Sequence, residues 1–287
     1  MRHLIPISGK DSLATALFMS AHEPREYEFF YNDNGAELPE TYAWLKSIEE
    51  KKGWNIHRVG SDLHQIIKDN KFLPSGQRRF CTRQSKIEPM KKWIGKDEVT
   101  IYYGLRADEP ERVGFKGAEK NIHARYPLRE NNLKLSGVWS IVAASGMLPP
   151  SFEWVALRDK VLTNYPEPER GYDNFTPWQR HIIFSGRTRP NCYFCFYQRQ
   201  YEYIWLYDTH PDLFKEACRL EDETGGEGYT WRDGYRLSEL VDKRNAIIDR
   251  RVQEIGKLIF DKKQGLLFGD SGDNELGLTS CGLLCGK

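Results

Sequence analysis

The sequence predicts an α/β fold, a parallel twisted sheet with helices on both faces, followed by a mainly helical C-terminal region. Short apolar or aromatic runs alternate with helical patterns through residue 150, which is typical of parallel strands joined by right-handed helical crossovers. Because 39% of the 287 residues are hydrophobic, the chain can bury a complete α/β core. Beyond residue 150 the chain becomes irregular and rich in Pro, Tyr, Trp and Arg. We therefore predict two domains, at residues 1–150 and 151–287.

The elements follow in order along the chain. An apolar strand at 2–7 precedes an apolar helix at 13–22, and the segment 29–41 begins as an aromatic strand. Further apolar runs predict strands at 54–59 and 99–104. Helical patterns predict further helices at 40–52, 63–71, 86–94 and 127–148, and from Tyr201 and Pro211 onward.

The turn after the first strand has the composition of a phosphate-binding loop. The strand runs directly into Ser8, Gly9, Lys10, Asp11 and Ser12. A small turn before a helix leaves backbone N–H groups free to meet an anion, and the helix dipole adds positive charge. We expect Asp11 or Ser12 to cap the helix. The loop is not of the Walker type, because that type needs a second glycine further upstream of the lysine. Taken alone, it could also be an ordinary strand–turn–helix.

Three further segments carry polar residues in positions that suit a nucleotide site. The segment 29–41 ends its strand in an acidic tip, at the sheet edge where open α/β sheets bind ligands. The segments 78–90 and 101–112 combine basic residues with a cysteine or a glycine. Each of these charged groups alone is typical of a solvated loop, but their order and spacing favour one common site.

Together, the loop and these three segments resemble the PP-loop ATP pyrophosphatases of the PAPS reductase-like family. The loop is similar to the family's Ser-Gly-Gly-x-Asp-Ser loop in the version that ends Gly-Lys-Asp-Ser, with Ile7 and Ser8 in place of its first Ser and first Gly. The segment 78–90 is similar to Cys-Thr-x-x-x-Lys-x-x-Pro, and 101–112 is similar to Gly-Ile-Arg-Ala-Asp-Glu. The resemblance implies an adenine nucleotide alpha hydrolase-like fold. It also implies that ATP and Mg²⁺ are bound by Ser8, Gly9, Lys10, Asp11, Ser12, Asp33, Asn34, Gly35, Gly104, Arg106 and Arg112.

The resemblance further implies an activity. PP-loop enzymes cleave ATP between the α- and β-phosphates and adenylylate a substrate oxygen, with Lys10 and Asp11 as the expected catalytic residues here. The branch that this chain resembles most is that of DNA phosphorothioation, which implies DNA as substrate and a cysteine desulfurase and other phosphorothioation subunits as partners. Two alternatives remain open. One is a PAPS or adenylylsulfate reductase with Cys281 or Cys285 as nucleophile, and the other is a non-catalytic nucleotide-binding subunit.

The cysteines form two close pairs, at Cys192 and Cys195 and at Cys281 and Cys285. Two such pairs are compatible with a tetrahedral Zn²⁺ or a 4Fe-4S cluster, and the resemblance favours iron. A further cysteine, Cys218, has the setting of a buried hydrophobic residue.

The remaining cysteine, Cys81, lies between the pair Arg78–Arg79 and Arg83, an electropositive setting that would lower the pKa of its thiol. It could be a metal ligand or a catalytic persulfide carrier, or it could only pack beside Phe80.

Charge and hydropathy exclude some functions. The formal net charge of +1 provides no overall attraction to nucleic acid, so any such binding must come from local basic patches. The sequence has no apolar run long enough to span a membrane, and its N-terminus lacks the apolar core of a secretory signal. We therefore expect a cytoplasmic protein without membrane partners.

Overall fold

A computed structural model describes residues 1–112, 119–151, 191–224, 229–232 and 234–263, with side chains described up to residue 254. The chain divides into two compact units. The first contains Met1–Ile66 and Phe80–Pro150, and the second contains Ile67–Arg79 and the described residues after Pro150.

The first unit is built on a five-stranded sheet in which all four strand pairings are parallel. The spatial order is β3-β2-β1-β4-β5. The strands are β1 (Arg2–Pro6), β2 (Glu28–Tyr31), β3 (Ile56–Arg58), β4 (Val99–Tyr102) and β5 (Ile122–Arg125). The chain moves outward from β1 to β3 and then returns to β4 on the other side of β1. The carboxyl ends of β1 and β4 therefore form a topological switch point, where open α/β sheets bind ligands.

The helices described up to Ser145, in chain order, are α1 (Lys10–His22), α2 (Pro39–Lys52), α3 (Leu63–Asn70), α4 (Phe80–Thr82), a π-helical turn (Arg83–Ile87), α5 (Glu88–Ile94), α6 (Pro127–Glu130) and α7 (Leu135–Ser145), with α3 crossing from the first unit into the second after Ile66. They cover both faces of the sheet. Ile5 and Phe29 pack against α1, α2 and α7, whereas their strand neighbours Leu4 and Phe30 pack against α5. This alternation follows from the two-residue period of a strand. The predicted α/β fold is therefore confirmed.

Two details of the sheet region differ from prediction. The strand β5 was not predicted, because its sequence Ile-His-Ala-Arg is short and lacks an apolar run. The prediction of one helix at 127–148 is wrong, because two separate helices, α6 and α7, occupy this range. They are separated at Asn132, which adopts a left-handed conformation with φ 52°. Asparagine tolerates this conformation better than most residues, so the break is explained locally.

The helix predicted at 86–94 begins six residues earlier, at Phe80, so Cys81 lies in its first turn rather than before it. The π-helical turn between α4 and α5 precedes Pro89, which has no N–H to donate to the preceding turn. A π-helical turn accommodates such an interruption without ending the helix. The side chain of Ser85, in this turn, donates a hydrogen bond to the Cys81 carbonyl oxygen at 2.6 Å.

The second unit contains α8 (Gln200–Thr209), α9 (Pro211–Thr224), α10 (Leu237–Asp242) and α11 (Arg244–Lys263). Phe194 stacks on Trp231 with ring centroids 4.7 Å apart, and Trp231 Nε1 donates to the Ala217 carbonyl oxygen. The buried Glu221 carboxylate accepts hydrogen bonds from the backbone N–H groups of Trp231 and Leu237. These contacts join four segments, namely the turn at Phe194, α9, the segment at Trp231 and the start of α10. A helical C-terminal region is therefore confirmed. Throughout the described part of the chain, every helix is too short or too polar to cross a membrane.

Candidate functional site

The turn between β1 and α1 is closed by the side chain of Ser12. Its Oγ accepts hydrogen bonds from the backbone N–H groups of Ser8 at 2.8 Å and Gly9 at 3.0 Å, and it donates to the Gly9 carbonyl oxygen at 2.9 Å. Gly9 is the N-cap residue, so Asp11 and Ser12 lie inside the first helical turn. The expectation that one of them caps the helix is wrong, because the helix begins at Lys10, before both of them. Ser12 instead lies within the helix and provides hydrogen-bond partners for the backbone N–H groups of the loop.

Directly after this turn, two charged side chains are buried against each other. Lys10 is fully buried, and its Nζ lies 2.9 and 3.0 Å from the two carboxylate oxygens of Asp11. Arg106, which follows β4, donates from Nη1 to Asp11 Oδ1 at 3.2 Å. The loop after β1 and the loop after β4 thus meet through one carboxylate at the switch point. Burial raises the strength of such ion pairs and also the cost of breaking them.

Arg106 extends this cluster into its own loop. Its Nε donates to Asp108 Oδ1 at 2.9 Å, and its Nη2 lies 3.6 Å from Glu109 Oε1. Burial opposes the ionisation of Asp108, but Arg106 and the Leu135 N–H outweigh it and hold the pKa of the carboxyl below its ordinary value. Burial also opposes the charge of Arg106, yet the carboxylates of Asp11, Glu109 and Asp108 raise its pKa. Arg106 and Asp108 therefore both carry their charges at neutral pH.

Arg112 is the outer cation of this loop. Its Nη1 donates to both carboxylate oxygens of Glu109, at 3.0 and 3.1 Å. Arg129 donates to the backbone carbonyl oxygens of Glu109 and Arg112. The arginine is thus tied to the same loop as Arg106 and contacts it through a shared carboxylate.

Gly104 allows β4 to approach the first turn of α1. A Cβ atom added there would lie 2.7 Å from the carbonyl carbon and oxygen of Asp11 and 2.8 Å from the backbone nitrogen of Ser12. All three are backbone atoms, which cannot move aside as a flexible side chain can. Only glycine therefore fits this position without displacing the loop.

The tip of β2 is the third part of the site. Asp33 Oδ1 accepts hydrogen bonds from the Tyr42 hydroxyl at 2.9 Å and from the Gly35 backbone N–H at 3.0 Å. Gly35 has φ 72°, in the left-handed region that favours glycine. A Cβ atom on Gly60 would lie 1.6 Å from the Asp33 carbonyl oxygen, so this glycine is also required. Burial, and then the hydrogen bond to Asp33, raises the pKa of Tyr42. The Tyr42 hydroxyl therefore stays protonated and donates a hydrogen bond to Asp33.

The neighbouring Asn34 is buried and structural. Its Oδ1 accepts from the Ala36 N–H at 3.1 Å, and its carbonyl oxygen accepts from the Leu63 N–H at 3.0 Å. A further pair links this tip to the helix that contains Cys81, since Lys86 Nζ lies 3.8 Å from Glu37 Oε1. Cys81 itself is half-buried, with its Sγ 4.0 Å from Thr82 Oγ1.

In the second unit, Cys192 and Cys195 lie on a tight turn. The Cys195 N–H donates to the Cys192 carbonyl oxygen at 3.0 Å. Gln198 Nε2 donates to the Cys192 and Tyr193 carbonyl oxygens at 2.8 and 2.7 Å, and the Tyr203 hydroxyl donates to the Cys195 carbonyl oxygen at 2.8 Å. The side chains of Gln198 and Tyr203 therefore fix the backbone of the turn that contains both cysteines.

The other cysteine predictions are tested to different degrees. Cys281 and Cys285 lie outside the described residues, and among the residues described no three His, Cys, Asp or Glu side chains are grouped to hold a metal. The four-cysteine metal centre stays a prediction.

Burial, and then the charges of Glu221 and Asp222, raises the pKa of Cys218 to about 11, as expected for an unreactive packed thiol.

The structure thus joins the residues predicted after β1 and β4 through Asp11, and it places those of β2 at the same edge of the sheet. Tyr42, Gly60, Asp108 and Glu109 were not predicted individually from the sequence. The two acids are part of the Arg-Ala-Asp-Glu segment and could have been inferred as partners of Arg106 from their spacing. Tyr42 and Gly60 carry no local signal, because their roles depend on contacts with Asp33 across the fold.

Comparison with known proteins agrees with this geometry. Residues 2–121 match the sequence profile of the phosphoadenosine phosphosulfate reductase domain. Two uncharacterized proteins of Methanocaldococcus jannaschii are similar. One is 29% identical over 119 residues, which cover 40% of this chain and 24% of that protein. The other is 21% identical over 267 residues, which cover 89% of this chain and 54% of that protein.

The chain thus spans about a quarter of the length of the first relative and about half of the length of the second. Its N-terminal part is similar to the phosphoadenosine phosphosulfate reductase domain.

Proposed function

We propose that this protein is an ATP pyrophosphatase that adenylylates a phosphate oxygen of DNA, so that sulfur can replace that oxygen. The observation that carries the proposal is the buried Lys10–Asp11–Arg106 cluster at the switch point, directly behind the Ser12-closed turn. Buried, prearranged cations and N–H groups are what a departing pyrophosphate needs. The first backbone N–H groups of α1 point in the same direction as its dipole and add to this field.

The proposed reaction has three steps. A DNA phosphate oxygen attacks the α-phosphorus of ATP, the bond from that phosphorus to the bridging oxygen breaks, and pyrophosphate leaves. A persulfide sulfur attacks the adenylylated DNA phosphorus and AMP leaves with the original oxygen. A second thiol then cleaves the sulfur–sulfur bond, so that the sulfur remains on DNA and a disulfide forms. We propose Cys81 as the persulfide carrier and a cysteine desulfurase as its sulfur source.

The Asp33 carboxylate would hold the Mg²⁺ that accompanies ATP. The carboxylate of Asp33 is half-buried, and Tyr42 and Gly35 orient its Oδ1. Carboxylates combined with phosphate oxygens are the usual surroundings of Mg²⁺ in phosphate chemistry. When bound, the cation would neutralise charge on the leaving pyrophosphate.

A groove on the first unit supports DNA as the substrate. It has a volume of about 550 Å³, and its charged lining consists of Lys92, Glu88 and Arg58, the last of which is paired with Glu49. Cations that contact a phosphate backbone are typical of nucleic-acid binding. This local charge is needed because the net charge of +1 provides no overall attraction.

The cysteine turn at Cys192 and Cys195 supports a metal centre in the second unit. Its backbone is held by Gln198 and Tyr203, and two thiols on such a turn can bind one metal ion or cluster. We propose that Cys281 and Cys285 complete this site with a 4Fe-4S cluster or Zn²⁺. Partners would include the desulfurase and further phosphorothioation subunits, in the cytoplasm.

Oxygen-18 transfer tests this function. DNA labelled with oxygen-18 at its non-bridging phosphate oxygens is incubated with the protein, ATP, Mg²⁺, cysteine and a cysteine desulfurase, together with any further subunits. We expect one labelled oxygen in the AMP and sulfur in the DNA. AMP without label, formed at the same rate with and without DNA, would contradict DNA adenylylation.

The family similarity specifically favours a second candidate, a sulfonucleotide reductase. Such an enzyme would convert phosphoadenosine phosphosulfate and a dithiol reductant to sulfite, the 3′,5′-bisphosphate of adenosine and a disulfide, without cleaving ATP. Sulfite production in the absence of ATP would favour this candidate over our proposal.

A further inference from the structure

Arg78 and Arg79 are two consecutive cations whose charges the described part of the protein leaves uncompensated. Arg78 is exposed and Arg79 is half-buried. Neither guanidinium is paired with a carboxylate among the residues that the structure describes. By contrast, the next cation along the chain, Arg83, has its Nε 3.6 Å from Glu88 Oε1. The pair Arg78–Arg79 is therefore available to an anion from outside the chain.

An aromatic ring holds each of the two guanidinium groups. The Arg78 Cζ lies 5.5 Å from the centroid of the Phe72 ring, and the Arg79 Cζ lies 5.4 Å from the centroid of the Tyr197 ring. Both distances are within the range of cation–π attraction. Of the Arg79 nitrogens only Nε is enclosed, so its two Nη groups reach the surface. The rings thus orient N–H donors that solvent, or a ligand, can reach.

The backbone that carries the pair is also fixed. The Arg78 N–H donates to Ser75 Oγ at 3.2 Å, and the Ser75 N–H donates to the Arg78 carbonyl oxygen at 3.3 Å. Both arginines, Ser75 and the two aromatic rings belong to the second unit. Groups that are already ordered lose less conformational entropy when they bind a ligand.

The charge of the surrounding segment has the same sign. Residues 67–79 contain four cations and one anion, hence a net charge of +3, from Lys68, Lys71, Arg78, Arg79 and Asp69. The formal net charge of the whole chain is only +1. Positive charge is thus concentrated in this segment, and such a local excess attracts polyanions.

We infer that Arg78 and Arg79 bind phosphate groups of a DNA backbone. A guanidinium offers two parallel N–H donors to one phosphate, and neighbouring phosphates of a backbone suit two neighbouring guanidinium groups. Cys81 follows Arg79 by two residues, so the segment that binds the backbone leads directly to the proposed sulfur carrier. This inference rests on the proposed function only in taking DNA as the polymer.

DNA binding by the purified full chain tests the inference, measured by fluorescence anisotropy of a labelled duplex over a range of salt concentrations. The main variant combines Arg78→Gln with Arg79→Gln. Each lost phosphate contact lowers the slope of log affinity against log salt concentration by about one. We therefore expect a slope that is smaller by about two, and binding that is about 10- to 100-fold weaker at about 0.1 M salt.

A matched control combines Arg219→Gln with Arg236→Gln. It removes the same charge from the second unit, but from arginines that Glu216 and Asp222 already pair. Its DNA affinity should stay within a factor of about two of the wild-type value. The control separates a specific phosphate site from an effect of net charge.

Arg78→Gln alone covers the case in which the double variant does not fold, because this side chain is exposed, and it should lower the slope by about one. Unchanged affinity and slope in a folded variant, or an equal loss in the control, would overturn the inference. Loss of polyglutamate binding with unchanged DNA binding would also overturn it and assign the pair to an acidic protein. DNA binding through the pair without cleavage of ATP would contradict only the proposed function. No DNA binding by the wild-type protein would contradict both.

Discussion

Replacing Gly104 with alanine tests the close packing between β4 and the first turn of α1. The added Cβ would lie 2.7 Å from the carbonyl of Asp11, whereas ordinary van der Waals contact begins at 3.4 Å. The loop must therefore move by about 0.7 Å to relieve this contact. Overpacking of this kind typically costs about 1–3 kcal/mol of unfolding free energy. For a chain of this size, each kcal/mol lowers the melting temperature by about 2–4 °C.

The same displacement should affect ATP cleavage more than it affects stability. It moves Lys10 and Asp11 together, and a misplacement of about 1 Å at a reacting centre can cost about 100-fold in rate. The assays are thermal unfolding and the rate of pyrophosphate release at saturating Mg²⁺. Gly76→Ala is the matched control, because a Cβ atom at Gly76 meets nothing within 4 Å. A Gly104→Ala variant with wild-type melting temperature and wild-type rate would contradict the close packing of Gly104 against Asp11 and Ser12.

Three further predictions concern the cysteines and the acid cluster. Cys192→Ser should reduce the bound iron or zinc measured by elemental analysis of anaerobically purified protein, and unchanged metal would exclude this ligand. Cys81→Ser should retain ATP cleavage and lose sulfur incorporation, measured by mass spectrometry of nuclease-resistant dinucleotides, and unchanged incorporation would return Cys81 to a packing role. The pKa of Asp108 is lowered in the folded protein, so its contribution to stability is complete above the ordinary value of 3.8 and is lost as pH falls through the folded pKa. Asp108→Asn should remove that part of the acid dependence in urea unfolding titrations, and an identical pH profile would contradict the Arg106 pairing.

The parts of the fold with strong local signals could be predicted from sequence. The apolar run before Ser8, the glycine at position 9 and the apolar helix that follows determine the β1–loop–α1 unit locally. Gly53, which ends α2 in a left-handed conformation with φ 65°, is another local signal. The strand β5 carried no such signal, since its polar residues form a strand only because β4 lies beside it.

The residues of the site could be predicted from the sequence, but the ion pairs between them could not. Arg106 was recognised as a cation near the loop, but its bond to Asp11 joins residues 95 positions apart in sequence. The buried state of Lys10 and its contact with the neighbouring carboxylate could not be derived from spacing either. Helix α4 was missed because the interruption at Pro89 obscures the continuity of the helix that begins at Phe80.

ATP pyrophosphatase activity is tested by the identity of the products that the purified protein forms from ATP in the presence of Mg²⁺. We predict AMP and pyrophosphate, separated by anion-exchange chromatography, and loss of both in Lys10→Ala. Lys215→Ala is the control, because that lysine side chain is 78% exposed on the second unit and should leave the products and rate unchanged. ADP and orthophosphate as products, or equal rates in Lys10→Ala and Lys215→Ala, would contradict the account.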